Sequence, residues 1–152
     1  MTLKWEDLAV GTALPEREYG PLTITDFVRY QGASGDFNPI HHDDAFAKSA
    51  GFPEPFSVGM LQAGILGSYV TDLFGPENVR RFSVQFREQV WAGDRLICSG
   101  EIVALRSGDA DGDAAGDAAD GKRSVDIALN VSRVGGGSAI KGEATFVVHP
   151  TQ

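Results

Sequence analysis

Three histidines occur in the 152 residues, and two of them stand together in Gly35-Asp36-Phe37-Asn38-Pro39-Ile40-His41-His42-Asp43. Asp36 and His41 lie five positions apart on either side of an Asn-Pro turn. A turn folds such a pair toward one point, where a long helix would not. A carboxylate beside an imidazole is the usual means of orienting a base or sharing a water. Downstream, Phe56-Ser57-Val58-Gly59-Met60 opens the most apolar stretch of the chain. A helix starting there offers free N–H groups and a positive dipole end to a developing oxyanion, and Gly59 has no side chain to block the approach. The alternative for Asp36 and His41 is a hydrogen bond that only stabilises the loop, as Asp and His in turns often do. The remaining candidates read as structural. His42 is peripheral, His149 lies on the surface near the end of the last strand, and Cys98 is a buried, inert thiol among apolar neighbours. Trp5 and Trp91 are packing residues.

These residues need elements to hold them. Glu16 to Thr23 reads as a first strand. A helix follows with Thr25 as its N-cap and Phe27, Val28 and Tyr30 on its apolar face, and it ends in Gly32-Ala33-Ser34-Gly35. A short helix covers Asp44 to Ala50. The stretch Val58 to Phe74 has apolar side chains in nearly every direction, which predicts a helix buried on all sides. Gly59, Gly64 and Gly67 weaken it, and anticipate close approach of a backbone or a ligand. Beyond Pro76 the period becomes two. Phe82, Val84 and Phe86 mark one strand and residues 94–106 a second. Val125, Ile127, Leu129 and Val131 mark a third, and Ile140, Ala144, Phe146 and Val148 a fourth. Gly135-Gly136-Gly137 joins the last two as a hairpin. Helices first and strands last give an α+β order, with an antiparallel sheet wrapped around the 58–74 helix.

Composition narrows the function. At 152 residues, 42% hydrophobic and 22% charged, the chain is one globular domain spanning 1–152. A balance of 13 basic against 21 acidic residues, net −8, argues against nucleic-acid partners. Residues 108–121 hold five Asp, five Ala and four Gly, and read as a flexible, solvated acidic loop. Asp109, Asp111 and Asp113 alternate as calcium ligands do, but Asp120 stands where an EF-hand needs glutamate. With one cysteine, no intramolecular disulfide or cysteine zinc cluster can form. No run reaches the roughly 18 apolar residues of a membrane span. The start, MTLKWEDLAVG, lacks a basic region followed by an apolar run, and the cytoplasm is the expected compartment.

The run from Tyr30 to Asp43, followed by Gly59-Met60, resembles the signature of MaoC-like (R)-specific enoyl-CoA hydratases and 3-hydroxyacyl thioester dehydratases. The resemblance implies a hotdog fold, with the 58–74 helix inside the sheet. It implies Asp36 and His41 as the catalytic pair, and a Gly59 backbone N–H that binds the thioester carbonyl oxygen. Asn38 matches the motif asparagine that shapes the loop and contributes to substrate binding. Gly67 stands where some members carry a serine that steadies the catalytic loop. The implied reaction is reversible hydration of trans-2-enoyl thioesters of CoA or acyl carrier protein, giving (R)-3-hydroxyacyl thioesters. It requires no metal or other cofactor, since CoA or phosphopantetheine is part of the substrate. The implied assembly is a homodimer, or a heterodimer with a related hotdog subunit, with substrate tunnels near the interface. The alternatives are a hotdog acyl-thioesterase, or the catalytic subunit of a heterodimeric dehydratase. Arg80, Arg81 and Arg87 either face the carrier's phosphates or simply charge an exposed strand.

Overall fold

A computed structural model describes residues 3–107 and 123–148, so the acidic segment 108–121 and His149 lie outside the described residues. The elements run β1 (Arg17–Tyr19), α1 (Ile24–Ser34), α2 (Asp44–Ser49), α3 (Gly59–Phe74), β2 (Val79–Phe86), β3 (Leu96–Arg106), β4 (Arg123–Arg133) and β5 (Ser138–Val148). The strands form one antiparallel sheet in the order β1-β3-β4-β5-β2. Period two in the sequence becomes a core face in the sheet: Val125, Ile127, Leu129 and Val131 of β4 are all buried. The β4–β5 turn closes through Gly135, whose φ of 75° is costly for any residue with a Cβ.

Helix α3 lies across that core face. Its Ala63, Leu66, Tyr69, Val70, Leu73 and Phe74 pack with the inward residues of β4 and β5. Gly142 of β5 makes the close approach possible. A Cβ there would stand 3.3 Å from Leu66 Cδ2 and 3.2 Å from the Ser83 carbonyl oxygen. Tyr69 donates its hydroxyl to the Pro15 carbonyl (3.0 Å), and Arg17 of β1 pairs with Asp72 of α3. Leu66 is fully buried. Leu66→Ala is therefore expected to destabilise the protein by about 2–5 kcal/mol in chemical denaturation; a cost below about 1 kcal/mol would mean that α3 is not seated as described.

Several expectations need correction. The first strand is shorter than Glu16–Thr23, because Gly20 turns away at φ 103° and Pro21 has no N–H to donate. The N-cap of α1 is Thr23 rather than Thr25. Thr23 Oγ1 accepts from Asp26 N, and the Asp26 carboxylate accepts from Thr23 N in return, which is a capping box. Helix α3 begins at Gly59 with Val58 as N-cap, and it is not buried all round: Met60, Gly64 and Ser68 form an exposed stripe at four-residue spacing. Gly59 and Gly67 do face close neighbours, the rings of Phe86 and Phe82, but Gly64 has nothing within 4 Å. Phe82 and Phe86 alternate along their strand as residues of a core face do, yet they are 36% and 53% exposed. Strand β2 is the edge of the sheet, so among the described residues no further strand flanks it beyond β5. Among the described residues no helix is long and apolar enough to cross a membrane.

Candidate active site

The segment between α1 and α2 is held at both ends by caps. Gly35 ends α1 in the left-handed region at φ 77°, with its N–H on the Gln31 carbonyl (2.9 Å). Asp43 begins α2 by accepting from Phe46 N at 2.9 Å. Between them Pro39 starts a single 3₁₀ turn, Pro39–His41, capped by Asn38 Oδ1 on Ile40 N (3.1 Å). That bond gives Asn38 the loop-shaping part expected of it. The Asp36 carboxylate accepts from Asn38 N at 3.3 Å.

This fold of the loop brings Asp36 Oδ2 to 3.8 Å from His41 Nε2. The separation exceeds a direct hydrogen bond and leaves both atoms able to engage a shared water. The two side chains differ in access: Asp36 is 46% exposed and His41 only 10%. His41 Nδ1 lies 2.7 Å from the Phe56 carbonyl oxygen. A carbonyl only accepts, so Nδ1 carries a proton, and Nε2, which faces Asp36, is the nitrogen whose lone pair is available whenever the ring is neutral. The Phe56 ring meets the imidazole edge-on at 5.2 Å and is backed by Phe52 and Trp91. Ser57 N donates to the Val90 carbonyl (2.8 Å), which ties this segment to the chain entering β3.

Three residues after Phe56, α3 begins. Val58 has no side-chain oxygen to cap the helix, so the Gly59 N–H has no side-chain acceptor. Below it, with its nitrogen turned to the acceptors, Gln62 donates to the Val58 (2.6 Å) and Gly59 (2.9 Å) carbonyls and accepts from Ser57 Oγ (3.0 Å). Phe56, Ser57, Gly59, Gln62 and Phe86 line an open cleft of about 230 Å³ that extends past Arg87. The cleft reaches Phe56 and Gly59; Asp36 and His41 are not among its walls. Arg87 points its guanidinium at Gln85 Oε1 (2.5 Å), while Arg81 pairs with Glu143 and Arg80 with backbone carbonyls.

Two residues passed over in the sequence belong to this region. Gln31 is buried to 2% exposure, and its amide donates to the Asp36 (2.8 Å) and Asn38 (2.9 Å) carbonyls. His42 is exposed, as a peripheral residue should be, but its Nδ1 lies 2.9 Å from Gln31 Oε1. The available signal was spacing: Gln31 follows buried Phe27 by four residues and so shares its helix face. Cys98 is buried as expected, and burial pushes its thiol up to about 12, which leaves no thiolate for nucleophilic chemistry.

The MaoC like domain matches residues 7–120. The (R)-specific enoyl-CoA hydratase of Aeromonas caviae is 28% identical over 146 residues, covering 91% of this chain and 94% of that protein. A solved (R)-hydratase from A. caviae superposes with a TM-score of 0.73 at 25% identity, over 95% of this chain and 99% of that one. Peroxisomal enoyl-CoA hydratase 2 of Arabidopsis thaliana is 36% identical over 64% of this chain. The chain spans only about a third (34%) of that relative's length. The 3-oxo-4,17-pregnadiene-20-carboxyl-CoA hydratase beta subunit of Mycobacterium tuberculosis is 32% identical over 65% of this chain and 77% of its own. The sheet wrapped on a central helix is the hotdog fold of these MaoC-type hydratases.

Proposed function

The chain belongs to the MaoC-like domain family, and from that premise we propose that it hydrates trans-2-enoyl thioesters reversibly to (R)-3-hydroxyacyl thioesters. The observation that carries the reading is the pairing of Asp36 with His41 at 3.8 Å, with the His41 tautomer set by the Phe56 carbonyl. The thioester carbonyl oxygen accepts from the Gly59 N–H at the head of α3. Asp36 and His41 hold one water between them and take its proton as its oxygen bonds to C3. The same pair returns a proton to C2, so both additions fall on one face. Negative charge that develops on the thioester oxygen is met by the N–H and the helix dipole, which stabilise the transition state more than the ground state. Asn38 keeps the turn in shape through its oxygen and leaves its amide nitrogen to the substrate. The scheme draws on no metal or redox group, and CoA or phosphopantetheine enters as part of the substrate.

A second hotdog subunit, identical or related, is part of the proposal. Phe82 and Phe86 on the edge strand and Met60 on α3 are exposed apolar side chains on the side of the sheet that α3 occupies. A second subunit would remove them from water. The Mycobacterium relative is named as a beta subunit, which favours weighing a heterodimer in which this chain supplies Asp36 and His41. The cytoplasm is the compartment proposed, although the Arabidopsis relative is named as peroxisomal.

The test is a spectrophotometric assay with crotonyl-CoA and longer trans-2-enoyl-CoAs. Loss of enoyl absorbance with an (R)-3-hydroxyacyl product is expected. Release of free thiol without hydration would replace the reading by a thioesterase. Activity that appears only after a co-purifying hotdog subunit is restored would establish the heterodimer.

A further inference from the structure

We propose that Gln31 is a positioning residue for the catalytic pair, acting as a three-way latch behind the loop that carries it. Its amide nitrogen has two hydrogens, and both are taken by acceptor-only groups, the carbonyls of Asp36 (2.8 Å) and Asn38 (2.9 Å). That fixes which way the amide faces. Its oxygen is then the atom 2.9 Å from His42 Nδ1, so His42 must carry its proton on Nδ1. One buried side chain therefore joins the backbone at residues 36 and 38 to the residue that follows His41.

The Asp36 carboxylate has little else to place it. Its side-chain partners are Asn38 N, at a long 3.3 Å, and His41 itself. Its position is set by the backbone of the bend, and that backbone is held by Gln31. Gly67, where a loop-steadying serine was looked for, has no side chain to offer, and its nearest neighbour is the Phe82 ring. Gln31 is also anchored from below. It sits in the last turn of α1, takes the Gly35 N–H on its own carbonyl, and is 2% exposed. A buried amide with its donors and its oxygen engaged is stiff, because releasing any bond leaves one of its own polar atoms unpaired and out of reach of water, although its partners lie nearer the surface.

The inference rests on the proposed hydration, since the effect is read as catalysis, and the experiment keeps the two apart. Gln31→Met preserves length and apolar bulk but removes both donors and the acceptor. It is expected to lower kcat about a hundredfold, the scale of a small misplacement of reacting groups, with KM within about threefold. Gln31→Glu puts a carboxylate against two carbonyls. Protonation restores one donor, so its kcat relative to wild type is expected to rise as pH falls. A Gln31→Met protein, folded by circular dichroism, that keeps kcat within threefold or loses only KM would overturn the proposal. If Gln31→Met does not fold, Gln31→Glu decides: a ratio to wild type that does not change with pH overturns it. Nitrogen-15 NMR of the wild type reads the latch without any activity. His42 in the Nδ1–H tautomer is expected, and the Nε2–H tautomer would sink the inference even if hydration is found. Wild-type protein that hydrates nothing, alone or with any co-purifying hotdog subunit restored, while His42 shows the Nδ1–H form would refute the function and leave the latch standing.

Discussion

Asp36→Asn is expected to lower the rate of enoyl hydration by about 10²–10⁴-fold, the range that a positioned acid or base supplies. Asparagine is the informative substitution because the change is nearly isosteric. Its Oδ1 can still accept from Asn38 N, as the carboxylate does at 3.3 Å, so the bend survives. It cannot take a proton from water, and it offers no charge to a protonated His41. Asp36 is about half exposed, and its loss should change thermal stability by no more than about 0.5 kcal/mol. The rate therefore falls without the fold. His41→Gln is the companion. It can still donate to the Phe56 carbonyl but loses the ring packed on Phe56, so some stability goes with the activity. The two losses should not add. A pair that works on one water is broken by removing either member, so the double variant is expected near the worse single one. Full activity in a folded Asp36→Asn protein would remove the proposed mechanism.

What was legible in the chain, and what was not, follows the range of the information. The approach of Asp36 to His41 and the cap made by Asn38 were readable because these residues and the turn that folds them lie within one short segment. Helix α3 and the four later strands were readable from periodicity. The environment of Phe82 and Phe86 was not. A period of two tells which residues share a face of a strand, but the strand's place in the sheet depends on long-range pairing, and β2 is the edge. The same holds for Met60, Gly64 and Ser68 on α3, whose exposure is decided by what packs elsewhere. Gln31 was missed for a different reason. A glutamine in a helix reads as surface, and only its four-residue spacing from Phe27 places it inside. The cap at Thr23 was misplaced by two residues, although Thr23 with Asp26 three positions on is itself a recognisable capping box.

Gly59→Pro should be almost as damaging as Asp36→Asn, with kcat lowered about 10²–10³-fold, the usual consequence of deleting one oxyanion donor. Proline removes the N–H and nothing else that the helix needs. Gly59 is the first residue of α3, and the first four N–H groups of a helix have no acceptor within it. Proline is favoured at that position, and it requires an extended residue before it. Val58 already has φ −62° and ψ 121°. The proline Cδ, which replaces the amide hydrogen, is one complication; the added Cβ is the other, because it would stand 3.0 Å from Phe86 Cε1. That ring is 53% exposed and free to turn aside, and Gly59→Ala introduces the same Cβ while keeping the N–H. The ratio of the two variants therefore separates the loss of the N–H and its replacement by Cδ from the crowding at Phe86. If alanine holds kcat within about tenfold and proline does not, the N–H carries the thioester oxygen. If the two fall together, the loss belongs to the space beneath Phe86, and the developing charge must be met by another donor at the head of α3.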